Sequence, residues 1–170
     1  MFKRIICAIV AILSLLTFTA CNEETVESTD EAVNKDVSGV EYYVEYRGQK
    51  IKMGADADAI ITGLGEYQSK KEIGDCGGLG AQVKYSYPSV DIYVLESKTD
   101  GNVIDEISFR DDGITTPEGV FIGMTVAEAK GKLGTPTKES DTVIEYAGAK
   151  FVLVITISDS KVNKIDYLNV

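Results

Sequence analysis

The chain has 170 residues, with 27 Asp and Glu against 17 Lys and Arg, a formal charge of -10, and no histidine or tryptophan. That length fits one core or two small units rather than a multidomain enzyme, and the missing imidazole removes Ser-His-Asp and Cys-His catalysis together with His-based zinc sites. The acidic balance argues against a nucleic-acid partner, which needs a basic footprint. The first segment, residues 1–20, opens on Lys3 and Arg4, runs apolar from Ile5 to Leu16 and ends small or polar from Thr17 to Ala20. This is the layout of a secretory signal peptide, and its apolar run is too short for a stable transmembrane helix.

The signal ends in Phe18-Thr19-Ala20-Cys21, which resembles the lipobox of bacterial lipoproteins. The resemblance implies that Cys21 is acylated and becomes the first residue of a mature chain held on the outer side of the cell membrane. Ordinary secretion after an A-x-A-like cleavage, with Cys21 incidental, is the alternative. Residues 21–39 read as an acidic tether, because Asn22 to Gly39 carries Glu23, Glu24, Glu27, Asp30, Glu31 and Asp36, one lysine and little to bury. Such a segment does not recover its ordering entropy. With Cys7 in the signal and Cys21 acylated, Cys76 is the one remaining thiol, so no intramolecular disulfide forms. Its neighbours are acidic rather than basic, which predicts a packed small hydrophobe and not a reactive nucleophile.

From residue 40 onward the pattern is that of short strands and two short helices. Val40–Tyr46 and Gln49–Met53 read as a hairpin around Arg47-Gly48. Asp56 caps a helix that Gly65 stops, and Thr125 with Glu128 forms a capping box for a second helix, stopped by Gly134 with Pro136 behind it. Strands are predicted over Gln82–Tyr87, Val90–Glu96 and Val103–Phe109, then over Thr142–Tyr146, Lys150–Ile157 and Val162–Leu168. The turns are Pro88-Ser89, Asp100-Gly101-Asn102, Ala147-Gly148-Ala149 and Asp159-Ser160. Phe151-Val152-Leu153-Val154-Ile155 is apolar at successive positions and predicts a central strand covered on both faces.

These elements repeat. Gly54 to Gly65 parallels Gly123 to Gly134, with Leu-Gly closing both, and Ile104–Phe109 parallels Val162–Tyr167 in size and polarity. The extra length of the first copy falls in the glycine-rich Glu72 to Gly80 region. Residues 123–136, Gly-Met-Thr-x-x-Glu-Ala-x-x-x-Leu-Gly-x-Pro, resemble the helix signature of the BLIP-like fold. That fold includes tandem-repeat β-lactamase inhibitor proteins and the single-copy SmpA/OmlA outer-membrane assembly lipoproteins. The wider layout is similar to a group of lipoproteins of Gram-positive bacteria. The resemblance implies an α+β fold of two tandem BLIP-like units, residues 40–113 and 114–170, each a short helix packed on an antiparallel sheet.

No constellation for catalysis, metal or cofactor emerges. Asp111-Asp112 precedes a glycine and reads as a turn; Asp100-Gly101-Asn102 and Asp159-Ser160 lack the alternating oxygen ligands of a calcium loop. Gly77-Gly78-Leu79-Gly80 lacks the Lys-Ser/Thr of a phosphate loop. The nine tyrosines are the better lead. Tyr85, Tyr87 and Tyr93 are placed on one side of the first unit's sheet, and Val152 and Val154 on the face away from the helix, as a candidate binding surface. Of Tyr42, Tyr43 and Tyr46, at least one is expected to be exposed. The expected function is a membrane-anchored, extracytoplasmic and non-catalytic binding module with a protein or cell-envelope partner and no cofactor. An enzyme inhibitor or an envelope-assembly factor is the alternative.

Overall fold

A computed structural model describes residues 40–75, 78, 80–99 and 101–170. The signal peptide, Cys21, the tether and Cys76 lie outside the described residues. The chain opens with a hairpin of β1 (Tyr43–Tyr46) and β2 (Gln49–Lys52), followed by α1 (Ala57–Leu64). Four strands follow: β3 (Ser69–Asp75), β4 (Gly80–Ser86), β5 (Val90–Ser97) and β6 (Asn102–Phe109). Then come α2 (Val126–Leu133), β7 (Lys138–Glu139), β8 (Val143–Ala147), β9 (Phe151–Ser158) and β10 (Lys161–Asn169).

The local signals act where the chain carries them. Arg47 and Gly48 take positive φ, 50° and 75°, as the two-residue turn between β1 and β2 requires. Asp56 accepts hydrogen bonds from the backbone N–H groups of Asp58 and Ala59, and Thr125 and Glu128 satisfy each other's backbone N–H at the start of α2. Gly65 and Gly134 end the helices at φ 72° and 82°. The C-terminus of α1 has a further cap: Arg47 Nη1 donates to the carbonyls of Leu64 and Glu66, 3.0 Å each. The same guanidinium lies over the rings of Tyr46 and Tyr87, at 5.4 and 5.3 Å.

The two helix-on-sheet units do not form. All eight later strands make one antiparallel sheet in the order β3-β4-β5-β6-β10-β9-β8-β7, so β-structure dominates and the helices are minor elements. The join is β6 to β10, where Ile107 stands opposite Tyr167, Ser108 opposite Asp166 and Glu106 opposite Leu168. The physical reason is twofold. Two separate sheets would leave β6 and β10 as long edges with unpaired backbone groups, and pairing them removes both edges. Helices of eight residues are also too short to cover a four-stranded sheet each. They sit near the join instead, α1 against β2 and β6 and α2 against β10.

One face of the sheet is thereby covered. Val90, Ile92, Val94, Ile104, Ile107, Phe109, Leu153, Ile155, Ile165 and Tyr167 form its inner layer. Against them pack Val44, Ile51 and Met53 of the hairpin region, Ala57, Leu64, Ala129 and Leu133 of the helices, and Ile114, Val120 and Met124 of the connecting segment. The expectation that at least one of Tyr42, Tyr43 and Tyr46 is exposed fails: all three are half-buried. Tyr42 packs on Phe151 and Tyr167, Tyr43 lies under the ammonium of Lys50, and Tyr46 meets Tyr87 edge-on. β9 is covered on this face alone; Leu153 and Ile155 point into the core while Val152 and Val154 lie on the other side.

Candidate functional site

The second face of the sheet has no described element packed on it, and the register defines its composition. One row crosses every strand: Ser69, Ser86, Asp91, Ser108, Asp166, Val154, Glu145 and Lys138 stand opposite one another in turn. The adjacent row runs Lys71, Lys84, Tyr93, Glu106, Leu168, Val152 and Ala147. The face is therefore graded, cationic toward β3 and β4, acidic at the β6–β10 join, and mixed across β9 and β8, where Val152, Val154 and Ala147 stand beside Glu145.

The polar middle is tightly paired. Lys84 Nζ lies 3.2 Å from Asp91 Oδ2, and Arg110 Nε approaches Asp91 Oδ1 at 3.8 Å. Ser108 Oγ donates to Asp166 Oδ1 at 2.6 Å, and Lys164 Nζ is 2.9 Å from the same oxygen. Asp105, the extra residue of a bulge in β6, accepts from Gln82 Nε2 at 2.8 Å and Asn169 Nδ2 at 3.2 Å, bridging β4, β6 and β10. Glu106 has its carboxyl held above the usual glutamate range, first by burial and then by the nearby charge of Asp166. Burial also raises the phenol of Tyr93, with Glu106 and Asp91 adding to the effect.

The raised Glu106 carboxyl gives a signed pH dependence. The folded state binds this proton more tightly than the unfolded state, so its unfavourable contribution is full above the folded value and fades as pH falls toward the ordinary glutamate range. Glu106→Gln is expected to be more stable than the parent at about pH 7, with the difference shrinking toward about pH 4. Denaturant titrations of both proteins at the two pH values check this.

The five proposed surface residues are not brought together. Tyr93, Val152 and Val154 lie on the bare face; Tyr85 and Tyr87 lie on the covered side. The two-residue turn Pro88-Ser89 sets Tyr87 against Val90, which places Tyr85 opposite Ile92 and Lys84 opposite Tyr93, so the tyrosines on either side of the turn fall on opposite faces. Tyr87 is fully buried. Tyr85 meets Tyr67 edge-on at 5.3 Å, lies under Lys70 and donates to Glu96 Oε1 at 3.4 Å. Val152 is shielded by its neighbours in the row, Ala147 and Leu168. Asp91, Glu106, Ser108, Asp166 and Leu168 were not singled out from sequence, although the alternation Asp91-x-Tyr93-x-Leu95 assigns Asp91 and Leu95 to the face of Tyr93.

The recesses lie elsewhere. One of about 580 Å³ at the C-terminus of α1 is lined by Ile61, Thr62, Gly65, Glu66 and Tyr67. Another of about 440 Å³ beside the β9–β10 turn gathers Glu139, Asp141 and Asp159, all exposed. Among the described residues no group of three or more acidic or cysteine side chains is arranged to hold a metal ion, and no helix is long and apolar enough to cross a membrane. Comparison with known proteins finds no matching family model, no matching curated protein and no matching solved structure.

Proposed function

We propose that this chain is an exported, lipid-anchored binding module on the outer side of a bacterial membrane, with no catalytic activity of its own. The observation that carries the reading is the asymmetry of the sheet: one face is packed under the hairpin, helices and connecting segment, and the other presents a graded polar and apolar surface. Tyr93, Leu168 and Val154 supply partly exposed apolar area there, flanked by Lys71 and Lys84 on one side, with Glu106 between Tyr93 and Leu168 and Asp166 opposite Val154. A broad, shallow sheet face suits a macromolecular partner better than an enclosed small molecule. The signal-like residues 1–20 and the Cys21 context supply the address.

Two measurements test the reading. Cells expressing the full chain and fed labelled palmitate are expected to label it, and Cys21→Ala to abolish the label; label that survives the substitution contradicts the anchor. Crosslinking on intact cells, followed by identification of what is captured, is expected to return an envelope component. An enzyme whose activity the chain suppresses would identify an inhibitor, and a membrane assembly complex an assembly factor.

A further inference from the structure

The two edges of the sheet are treated differently. β7 is an edge of two residues, too short to template a partner, whereas β3 is an edge of seven residues, all exposed. A long exposed edge strand offers a row of backbone donors and acceptors to another strand. β3 also carries one of the large exposed apolar side chains, Ile73, 48% exposed, at a bulge where no residue of β4 stands opposite it.

We propose that β3 is the interface of a two-fold dimer, pairing antiparallel with β3 of a second copy so that Ile73 stands opposite the partner's Ile73. The choice of occupant and register comes from charge. A parallel two-fold pairing sets every residue against itself, including Lys70, Lys71, Glu72 and Asp75, which is repulsive. An antiparallel pairing centred on Lys71 or on Glu72 sets that charge against its own copy. Centring on Ile73 sets Lys71 against the partner's Asp75, Asp75 against the partner's Lys71, and Glu72 against the partner's Gly74. Each charged pair is then opposite in sign, and the exposed isoleucine is covered by its own copy. Lys71 is exposed, and Asp75 is engaged with exposed Lys98 at 3.5 Å and with the backbone N–H groups of Gly78 and Gly80. The interface is isologous and closes; the two eight-stranded sheets become one. A single edge pairing buries less than the roughly 1,600 Å² of a standard interface, so the dimer forms in a concentration-dependent equilibrium.

The test uses the full chain with Cys7, Cys21 and Cys76 changed to Ser. Under mild oxidation Ile73→Cys is expected to give a disulfide-linked dimer at least about tenfold more abundant than Ser69→Cys, whose equivalent in the second copy lies several residues away. Equal crosslinking at the two positions overturns the register. Sedimentation across a concentration series reads the charge pairs: Lys71→Asp and Asp75→Lys each weaken self-association by about tenfold, and the double swap restores it. A monomer at all concentrations, or a double variant as weak as the singles, overturns the proposal. Lys71 also belongs to a row of the bare face, but both assays read self-association of the purified chain alone, so these outcomes are independent of whether a partner binds that face.

Discussion

Replacing Ile107 by alanine is expected to destabilise the protein by about 2–5 kcal/mol, the range for a buried isoleucine whose cavity does not collapse. Ile107 is fully buried in β6, with Ile92 opposite it on one side and Tyr167 across the β6–β10 join on the other. A cavity there touches both halves of the sheet. Since the folded part forms one continuous hydrogen-bonded layer over one core, unfolding is expected to be a single cooperative transition that the substitution shifts as a whole. Guanidinium unfolding followed by far-ultraviolet dichroism and by tyrosine fluorescence checks this. Two separated transitions, only the first of them shifted by Ile107→Ala, would mean that the halves fold as independent bodies.

The second large effect falls on the bare face. Asp166 has a side chain only 8% exposed, yet it takes the Ser108 hydroxyl at 2.6 Å and the Lys164 ammonium at 2.9 Å. Asp166→Ala leaves the buried Ser108 hydroxyl without its acceptor, and costs about 1–3 kcal/mol at neutral pH. Asp166→Asn keeps an oxygen acceptor for Ser108 while removing the charge, so it is expected to cost less. It also removes the charge that raises Glu106 after burial has acted, and so reduces the gain seen with Glu106→Gln. Denaturant titration of the two Asp166 variants, each with and without Glu106→Gln, separates the hydrogen bond from the charge. Equal losses for Ala and Asn would show that charge and not the Ser108 bond dominates.

What was legible in the sequence is what short-range chemistry determines. The Arg47-Gly48 turn, the Asp56 and Thr125 caps, the Gly65 and Gly134 stops and the six strands with β-branched or aromatic alternation lie within one or two residues of their expected positions. β3 was missed because Ser-Lys-Lys-Glu-Ile-Gly-Asp has no apolar alternation; it is an edge strand held by its backbone pairing with β4. The β6–β10 join was missed because it pairs residues 58 apart, such as Ser108 with Asp166, and no local pattern reports that choice. The bare face was half legible. Alternation assigns Val152 and Val154 to it, but strand alternation alone does not carry the faces of Tyr85 and Tyr87 through the Pro88-Ser89 turn to Tyr93. A two-residue turn fixes the register, and the register puts Lys84 rather than Tyr85 next to Tyr93.

The bare face as the working surface is tested most directly by position-specific photocrosslinking on intact cells. A photoreactive phenylalanine replaces Tyr93 on that face, or exposed Thr62 on α1 in the covering layer. A discrete adduct is expected from position 93, lost when Val154→Asp is added three strands away on the same face, and none from position 62. An adduct from position 62 with none from position 93 would contradict it.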